Sequence, residues 1–240
     1  MNEMIMRSAV QTHFQIRRAT SCDIEELVNL HYRVFDISTH HLLLMGRPLM
    51  VRAYGWYCGS PNAFAMVAQD GQAILGCTTV NQGSYYSFFR ENWVQVARAL
   101  ISKPQLIFHP LVVRRLRAFR GQTRVIPQKT HSAYLAYMAV DPRTRGKNVG
   151  TALIRATIET CGARGWDQVL TSFHRANAAA YSFYKALGFE PFPELDTDDL
   201  VGVRINTACY LQSRRVGPVP PQEDKSPACL PPGVPGYSPE

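Results

Sequence analysis

The run Ala139 to Ile154, AVDPRTRGKNVGTALI, constrains this chain more than any other stretch. A β-rich segment, SAYLAYMAV, ends at Val140, and a helical segment, TALIRATIETCGARG, begins near Val149 and closes at Gly165. The loop between them is rich in Arg, Gly and Lys. Backbone N–H groups at a helix start have no intrahelical partner, and the helix dipole there favours anions. Gly146 and Gly150 remove side chains where a phosphate must approach the backbone, and Arg143, Arg145 and Lys147 add positive charge. The segment reads as a pyrophosphate cradle on a strand–loop–helix unit. It contains neither GxxxxGK[ST] nor GxGxxG, which excludes the P-loop and dinucleotide fingerprints.

The remaining elements give an α/β chain of the α+β type. FQIRRAT is a strand, and Ser21 or Asp23 can cap a helix running to about Phe35, with Glu25 and Glu26 in its first turn. Residues 37 to 58 are apolar and aromatic, helical, and broken near Gly46 and Pro48. AFAMVAQDGQAILGCTTV is a hairpin around Asp70-Gly71. DQVLTSF is a strand, ANAAAYSFYKALGF a helix closed by Gly188, and two final β-runs lie near Glu190 to Pro193 and Leu200 to Leu211.

Two motifs in order give this pattern a family resemblance. Arg145-Gly146-Lys147-Asn148-Val149-Gly150 resembles the Q/R-x-x-G-x-G/A pyrophosphate loop of the GNAT superfamily of acyl-CoA-dependent N-acetyltransferases, with Asn148 where the family has its first glycine. Asn tolerates a left-handed backbone better than most residues. About thirty residues on, Asn177, Ala180, Tyr184, Gly188 and Phe189 match the family's N-x-x-A-x-x-x-Y-x-x-x-G-F. The resemblance covers roughly Ala133 to Phe192 closely. It implies the GNAT fold: a mixed central sheet of about six to seven strands flanked by helices, here with a helical insertion between the third and fourth strands. It implies acetyl-CoA as acyl donor. Met138, Ala139 and Val140 would line the pantetheine arm, and Arg145 to Gly150, continuing to Thr151, would hold the pyrophosphate. Asn177 would contact the pantetheine amides or the strand. Tyr184 would be the general acid for the departing thiolate, and a strand N–H near Met138 would stabilise the oxyanion.

The expected activity is direct acetyl transfer to a primary amine of a small molecule, such as an amino sugar, polyamine or amino-acid-like metabolite. The alternatives are protein acetylation and a non-catalytic acyl-CoA-binding sensor or scaffold. The general base is unassigned, because Tyr134 to Met138 contain no carboxylate. Glu25, His31, Asp36, His40 and His41 precede the hairpin on the side where relatives bind substrate, and each reads as a solvated surface residue. His174 reads as structural or cofactor-adjacent, and Tyr181 and Phe183 as packing.

Charge is localised. The net charge of +8 sits entirely between Arg90 and Lys129, with nine basic residues against one acid. This lies in an insertion of about residues 81 to 131, read as two helices over FFRENWVQVARALI and LVVRRLRAF. Two roles compete for it: a lid over the acceptor site, or a surface for an anionic membrane or a phosphate-bearing substrate. No nucleic-acid motif accompanies the charge, so nucleic acid is not an expected partner. The expected domain spans residues 1 to 213, followed by a flexible Pro-rich tail, 214 to 240. No apolar run approaches the roughly 20 residues of a membrane span. The first residues lack an apolar core and a cleavage site. A cytoplasmic protein is expected, with peripheral contact at the inner membrane face as its extension. The six cysteines form no CxxC pair or zinc spacing, so no metal is expected and buried free thiols are. A homodimer is left open.

Overall fold

The computed structural model describes residues 14–37, 40–113 and 131–215. The tail from 216 onward and most of the second basic run, 114–130, lie outside the described residues, as does the side chain of His41.

Strand formation follows β-branched, aromatic and small apolar runs. β1 (Gln15–Arg18) pairs antiparallel with β2 (Ala63–Asp70), and β2 pairs with β3 (Ala73–Gln82) across the expected Asp70-Gly71 turn. Gly71 takes a positive φ of 57° there, which a glycine adopts without a Cβ penalty. β3 pairs antiparallel with β4 (Ser132–Val140), and β4 pairs parallel with β5 (Gln168–His174). β7 (Leu200–Asn206) joins β5, and the short β6 (Glu190–Pro191) joins β7. The result is one mixed seven-stranded sheet in the order β1-β2-β3-β4-β5-β7-β6.

Period-two alternation sends side chains to two separate cores. Ala63, Ala65, Val67, Cys77, Tyr134, Tyr137 and Ala139 face α1 (Ile24–Val34), α2 (His41–Met45) and α3 (Arg47–Gly59). The insertion helices α4 (Ser87–Glu91) and α5 (Trp93–Ser102) pack on this same face. Phe64, Met66, Val80 and Leu135 face α6 (Val149–Ala163), α7 (Ala178–Ala186) and α8 (Thr207–Arg215). Because β2 to β4 are covered on both sides, they read as almost continuous apolar runs. Leu153, Ile154 and Ile158 fasten α6 to the second core, and truncating one of them to Ala should cost about 2–5 kcal/mol.

Local chemistry shifts three sequence-derived boundaries. Neither Ser21 nor Asp23 opens the first helix alone. A 3-10 turn (Ser21–Asp23) precedes α1, and the Asp23 carboxylate accepts from the Thr20 N–H at 2.7 Å in a capping box. The long helix over FFRENWVQVARALI divides at Asn92, whose amide nitrogen donates back to the Phe88 carbonyl at 3.0 Å. The last β-run stops at Asn206 instead of reaching Leu211. Asn206 Oδ1 accepts from the Cys209 N–H at 2.9 Å, and the Thr207 hydroxyl donates to the Trp166 carbonyl at 2.7 Å, so α8 starts there. The thiols also divide: Cys77 and Cys161 are buried, whereas Cys22 and Cys209 are exposed.

Candidate active site

β4 and β5 share only three residue pairs: Ser132 with Gln168, Ala133 with Val169, and Tyr134 with Leu170. Both strands run on past that point, but the ladder stops. One interstrand bond crosses just beyond it, from the Thr171 hydroxyl to the Leu135 carbonyl at 3.0 Å. β4 also carries a bulge. Val80 pairs with Leu135 and Thr79 with Tyr137, which leaves Ala136 as the extra residue. The Tyr137 N–H then turns toward β3 and donates to Thr79 Oγ1 at 3.1 Å. Successive strand N–H groups point to opposite sides, so the Met138 N–H points into the gap between β4 and β5.

The cradle stands at the end of β4. The Asp141 N–H donates to the Leu75 carbonyl at 2.8 Å and fixes the exit of the strand. The buried Asp141 carboxylate accepts from the Arg143 backbone at 3.0 Å and from its guanidinium at 2.7 Å. These bonds, with the Arg33 guanidinium 3.8 Å away, hold the Asp141 carboxyl down to about 2. Arg143 is therefore committed to Asp141, and the exposed Arg145 and Lys147 carry the loop's outward charge. Asn148 has φ 60° and ψ 12°, a left-handed conformation held by no other non-glycine among the described residues. This turn lets α6 begin at Val149 with the first N–H groups of Val149, Gly150 and Thr151 lacking intrahelical acceptors. Gly146 presents an open face, since a Cβ built there would meet nothing within 4 Å. Gly150 is the opposite case: a Cβ would lie 2.6 Å from Met138 Cε and 3.6 Å from Phe183 Cζ. Bare backbone, unpaired helix-start N–H groups and exposed cations fit a pyrophosphate.

Tyr184 lies on α7 at the same gap. It is buried, stacks on Phe173 of β5 at 5.5 Å, and its hydroxyl is 3.9 Å from Met138 Sδ. Burial raises its phenol above the ordinary tyrosine range, so it stays protonated at neutral pH. Phe183 walls the groove by Gly150, and Tyr181 is exposed. Asn177 opens the same helix. It is the N-cap of α7, and its Oδ1 accepts from the Ala180 N–H at 3.0 Å.

The opposite face of the gap holds residues that sequence reasoning put on the surface. His31 is fully buried on α1. Its Nδ1 is 2.9 Å from the Tyr54 hydroxyl, and its Nε2 is 3.3 Å from a ring nitrogen of His40. His31 and His40 both pack against the Tyr137 ring, with centroids at 5.2 and 5.1 Å, and Phe35 covers them. The Tyr137 hydroxyl in turn bonds that of Tyr85. Burial, and secondarily the neighbouring His40, hold His31 down to about 2, so it is a neutral imidazole at any working pH. The signal for this cluster is the apolar company of His31 on its helix stripe, Leu27, Val28 and Leu30.

An interrupted parallel pair beside a helix-start anion site leaves room between two strands for an extended, phosphate-bearing ligand. The chain belongs to the Acetyltransferase (GNAT) family, whose model matches residues 31–189. Over 104 residues it is 26% identical to N-alpha-acetyltransferase 30 of Schizosaccharomyces pombe (strain 972 / ATCC 24843), which covers 43% of this chain and 63% of that protein. The chain thus matches less than two thirds of that curated relative. Among solved structures, the GNAT domain of S. lividans PAT superposes with TM-score 0.54 at 15% identity, over 80% of this chain and 90% of that one. The smu.2055 protein from Streptococcus mutans UA159 gives 0.51 at 17% identity, over 80% and 99%. At these identities the likeness establishes the shared fold.

Proposed function

We propose that the protein acetylates a primary amine of a small molecule at the gap between β4 and β5. The observation that carries the placement is the three-pair ladder between those strands, which leaves a gap running past Met138, where Tyr184 lies, toward the anion cradle after Val140. In this reading Arg145, Gly146, Lys147, Asn148 and the N–H groups of Val149, Gly150 and Thr151 hold the pyrophosphate. Met138, Ala139 and Val140 line the pantetheine arm, and the Asn177 amide nitrogen remains available to it. The Met138 N–H receives the negative charge that develops on the thioester carbonyl oxygen. Tyr184 gives its proton to the departing sulfur. His40, backed by the permanently neutral His31, takes the proton that the attacking ammonium must lose. That assignment supplies the base that β4 itself lacks.

A second reading follows from the likeness to an N-alpha-acetyltransferase: the amine is then the N-terminus of a polypeptide. One assay separates the two readings. Release of free thiol from acetyl-CoA is followed over amino sugars, polyamines and amino acids in one panel and N-terminal peptides in another. Turnover in the first panel supports the small-molecule reading, and turnover confined to peptides replaces it. Donor binding without turnover in either would make the protein an acyl-CoA sensor. Tyr184→Phe should lower kcat by roughly 100-fold or more with little change in donor affinity, since positioned acids contribute about that much. An unchanged kcat would remove Tyr184 as the acid.

A further inference from the structure

The insertion presents one apolar side to the core and another to solvent. Val96, Ala99 and Leu100 of α5 pack on the first core, and the following 3-10 turn (Pro104–Phe108) buries Leu106. Trp93, Ala97 and Ile101 recur every fourth residue along the outer side of α5, so they form one stripe. Trp93 is 68% exposed and Ile101 78%, while Phe108 of the 3-10 turn is 84% exposed. Val94 and Ile107 are exposed as well. Five of the eight large apolar residues exposed among the described residues thus fall within sixteen positions. Scattered exposed apolar residues are ordinary, but a concentration on one element marks an interaction surface.

In sequence this segment belongs to the stretch from Arg90 to Lys129 that carries the positive charge of the chain, six of whose nine basic residues lie outside the described residues. Its single acid, Glu91, accepts from Trp56 Nε1 at 2.7 Å. Lys103 is turned inward, donating to the Leu44 carbonyl at 3.1 Å, whereas Arg98 stands exposed one turn before Ile101. Arg52 Nε donates to Asn92 Oδ1 at 2.9 Å and fixes the head of α5 to α3. α5 and the 3-10 turn are therefore held in place with Trp93, Ile101, Phe108 and Arg98 exposed. A partner for it must be apolar and anionic together. A second copy would bring like charge, and nucleic acid would offer Ile101 and Ile107 nothing apolar. An anionic lipid surface supplies both properties, with acyl chains for the apolar side chains and headgroups for the guanidinium.

We propose that Trp93, Val94, Arg98, Ile101, Ile107 and Phe108 dock the protein on an anionic lipid surface. This does not rest on the acetyl-transfer reading. It gives the first core's face, where His40 and Tyr137 lie, the membrane as its neighbour, because the insertion and those residues share one side of the sheet. The full-length chain is co-sedimented with phosphatidylcholine vesicles and with vesicles that are one quarter phosphatidylglycerol, at low and high salt. The expected result is retention on the anionic vesicles at low salt, at least a tenfold weaker retention at high salt, and none on neutral vesicles. Ile101→Ser with Phe108→Ser should weaken that retention at least tenfold while leaving the thermal midpoint unchanged. Arg98→Gln should weaken it less. Absence of retention on anionic vesicles would overturn the proposal, as would undiminished retention of the double variant. A concentration-dependent dimer that the double variant abolishes, without vesicle binding, would assign the surface to a second copy.

Discussion

The two faces of the sheet bind by different means. In the proposed reading the groups that matter on the donor face are main-chain: the Met138 N–H, the helix-start amides from Val149 to Thr151, and the bare backbone at Gly146 and Gly150. They come from two short stretches of sequence. On the opposite face the groups are side chains from α1, the α1–α2 connection, α3, β3, β4 and the insertion: His31, His40, Tyr54, Cys77, Tyr137 and Tyr85. Backbone amides recognise what every acyl-CoA has in common. Side chains gathered from six places can be exchanged one at a time, and so can follow the acceptor.

The largest effect should come from damaging the donor face alone. Gly150→Leu puts a branched side chain where even a Cβ meets Met138 Cε at 2.6 Å, and it should reduce kcat/KM by about 100-fold or more. The same variant should lose thermal stabilisation by acetyl-CoA, which follows from selective binding to the folded state. Retained stabilisation would mean that the cradle lies elsewhere.

The complementary test leaves the donor face intact. His40→Gln should lower kcat/KM by roughly 10- to 100-fold, while acetyl-CoA still raises the melting midpoint. An unchanged kcat/KM would put the base outside this cluster.

His31 separates stability from chemistry. Its folded-state pKa lies near 2, below the unfolded value of about 6.5. Below about pH 6.5 the unfolded chain takes up a proton that the folded chain refuses, so stability falls as pH falls, by about 1.4 kcal/mol per pH unit. Asp23 and Asp141, held near 2 by Arg17 and Arg143, add their loss only below about pH 4. Melting curves of the parent should decline between about pH 6.5 and about pH 4. Those of His31→Leu should be flatter across that window, and an equal slope would remove His31 as the cause.

The smallest effect concerns the loop residue that departs from the family pattern. Asn148 is already left-handed, so Asn148→Gly should leave stability within about 0.5 kcal/mol and donor affinity unchanged. Asn148→Ala should cost about 1 kcal/mol, because a Cβ without a compensating amide resists that conformation. Urea titration distinguishes the two.

The donor half was legible in the sequence because its determinants are local. A strand that must end at Val140, a left-handed residue at position 148 and glycines at 146 and 150 lie within a dozen positions, and helix-start physics interprets them directly. The acceptor half resisted because its contacts are long-range. His31 meets Tyr54 twenty-three positions later, and meets Tyr137 from the central strand β4, far along the chain. The apolar company of His31 signals burial, but gives no notice of which rings it will meet. The same holds for α8: Asn206 was read as strand interior because its capping bond to Cys209 competes silently with a β-prone run. Asn177 is a related case, a motif residue whose Oδ1 is consumed by capping its own helix.

The truncated ladder also sets the mechanics of the molecule. Strands β1 to β4 form one leaf, and β5, β7 and β6 form another, stitched at one end by three residue pairs and backed by α6. Stiffness across that stitch is supplied by whatever fills the opening, so a donor lying between the leaves acts as a structural strut as well as a reactant. Amides of β4 past Tyr134 that face the opening should exchange with deuterium quickly in the free protein and slowly with donor present, while those of β2 and β3 keep the same pace in both.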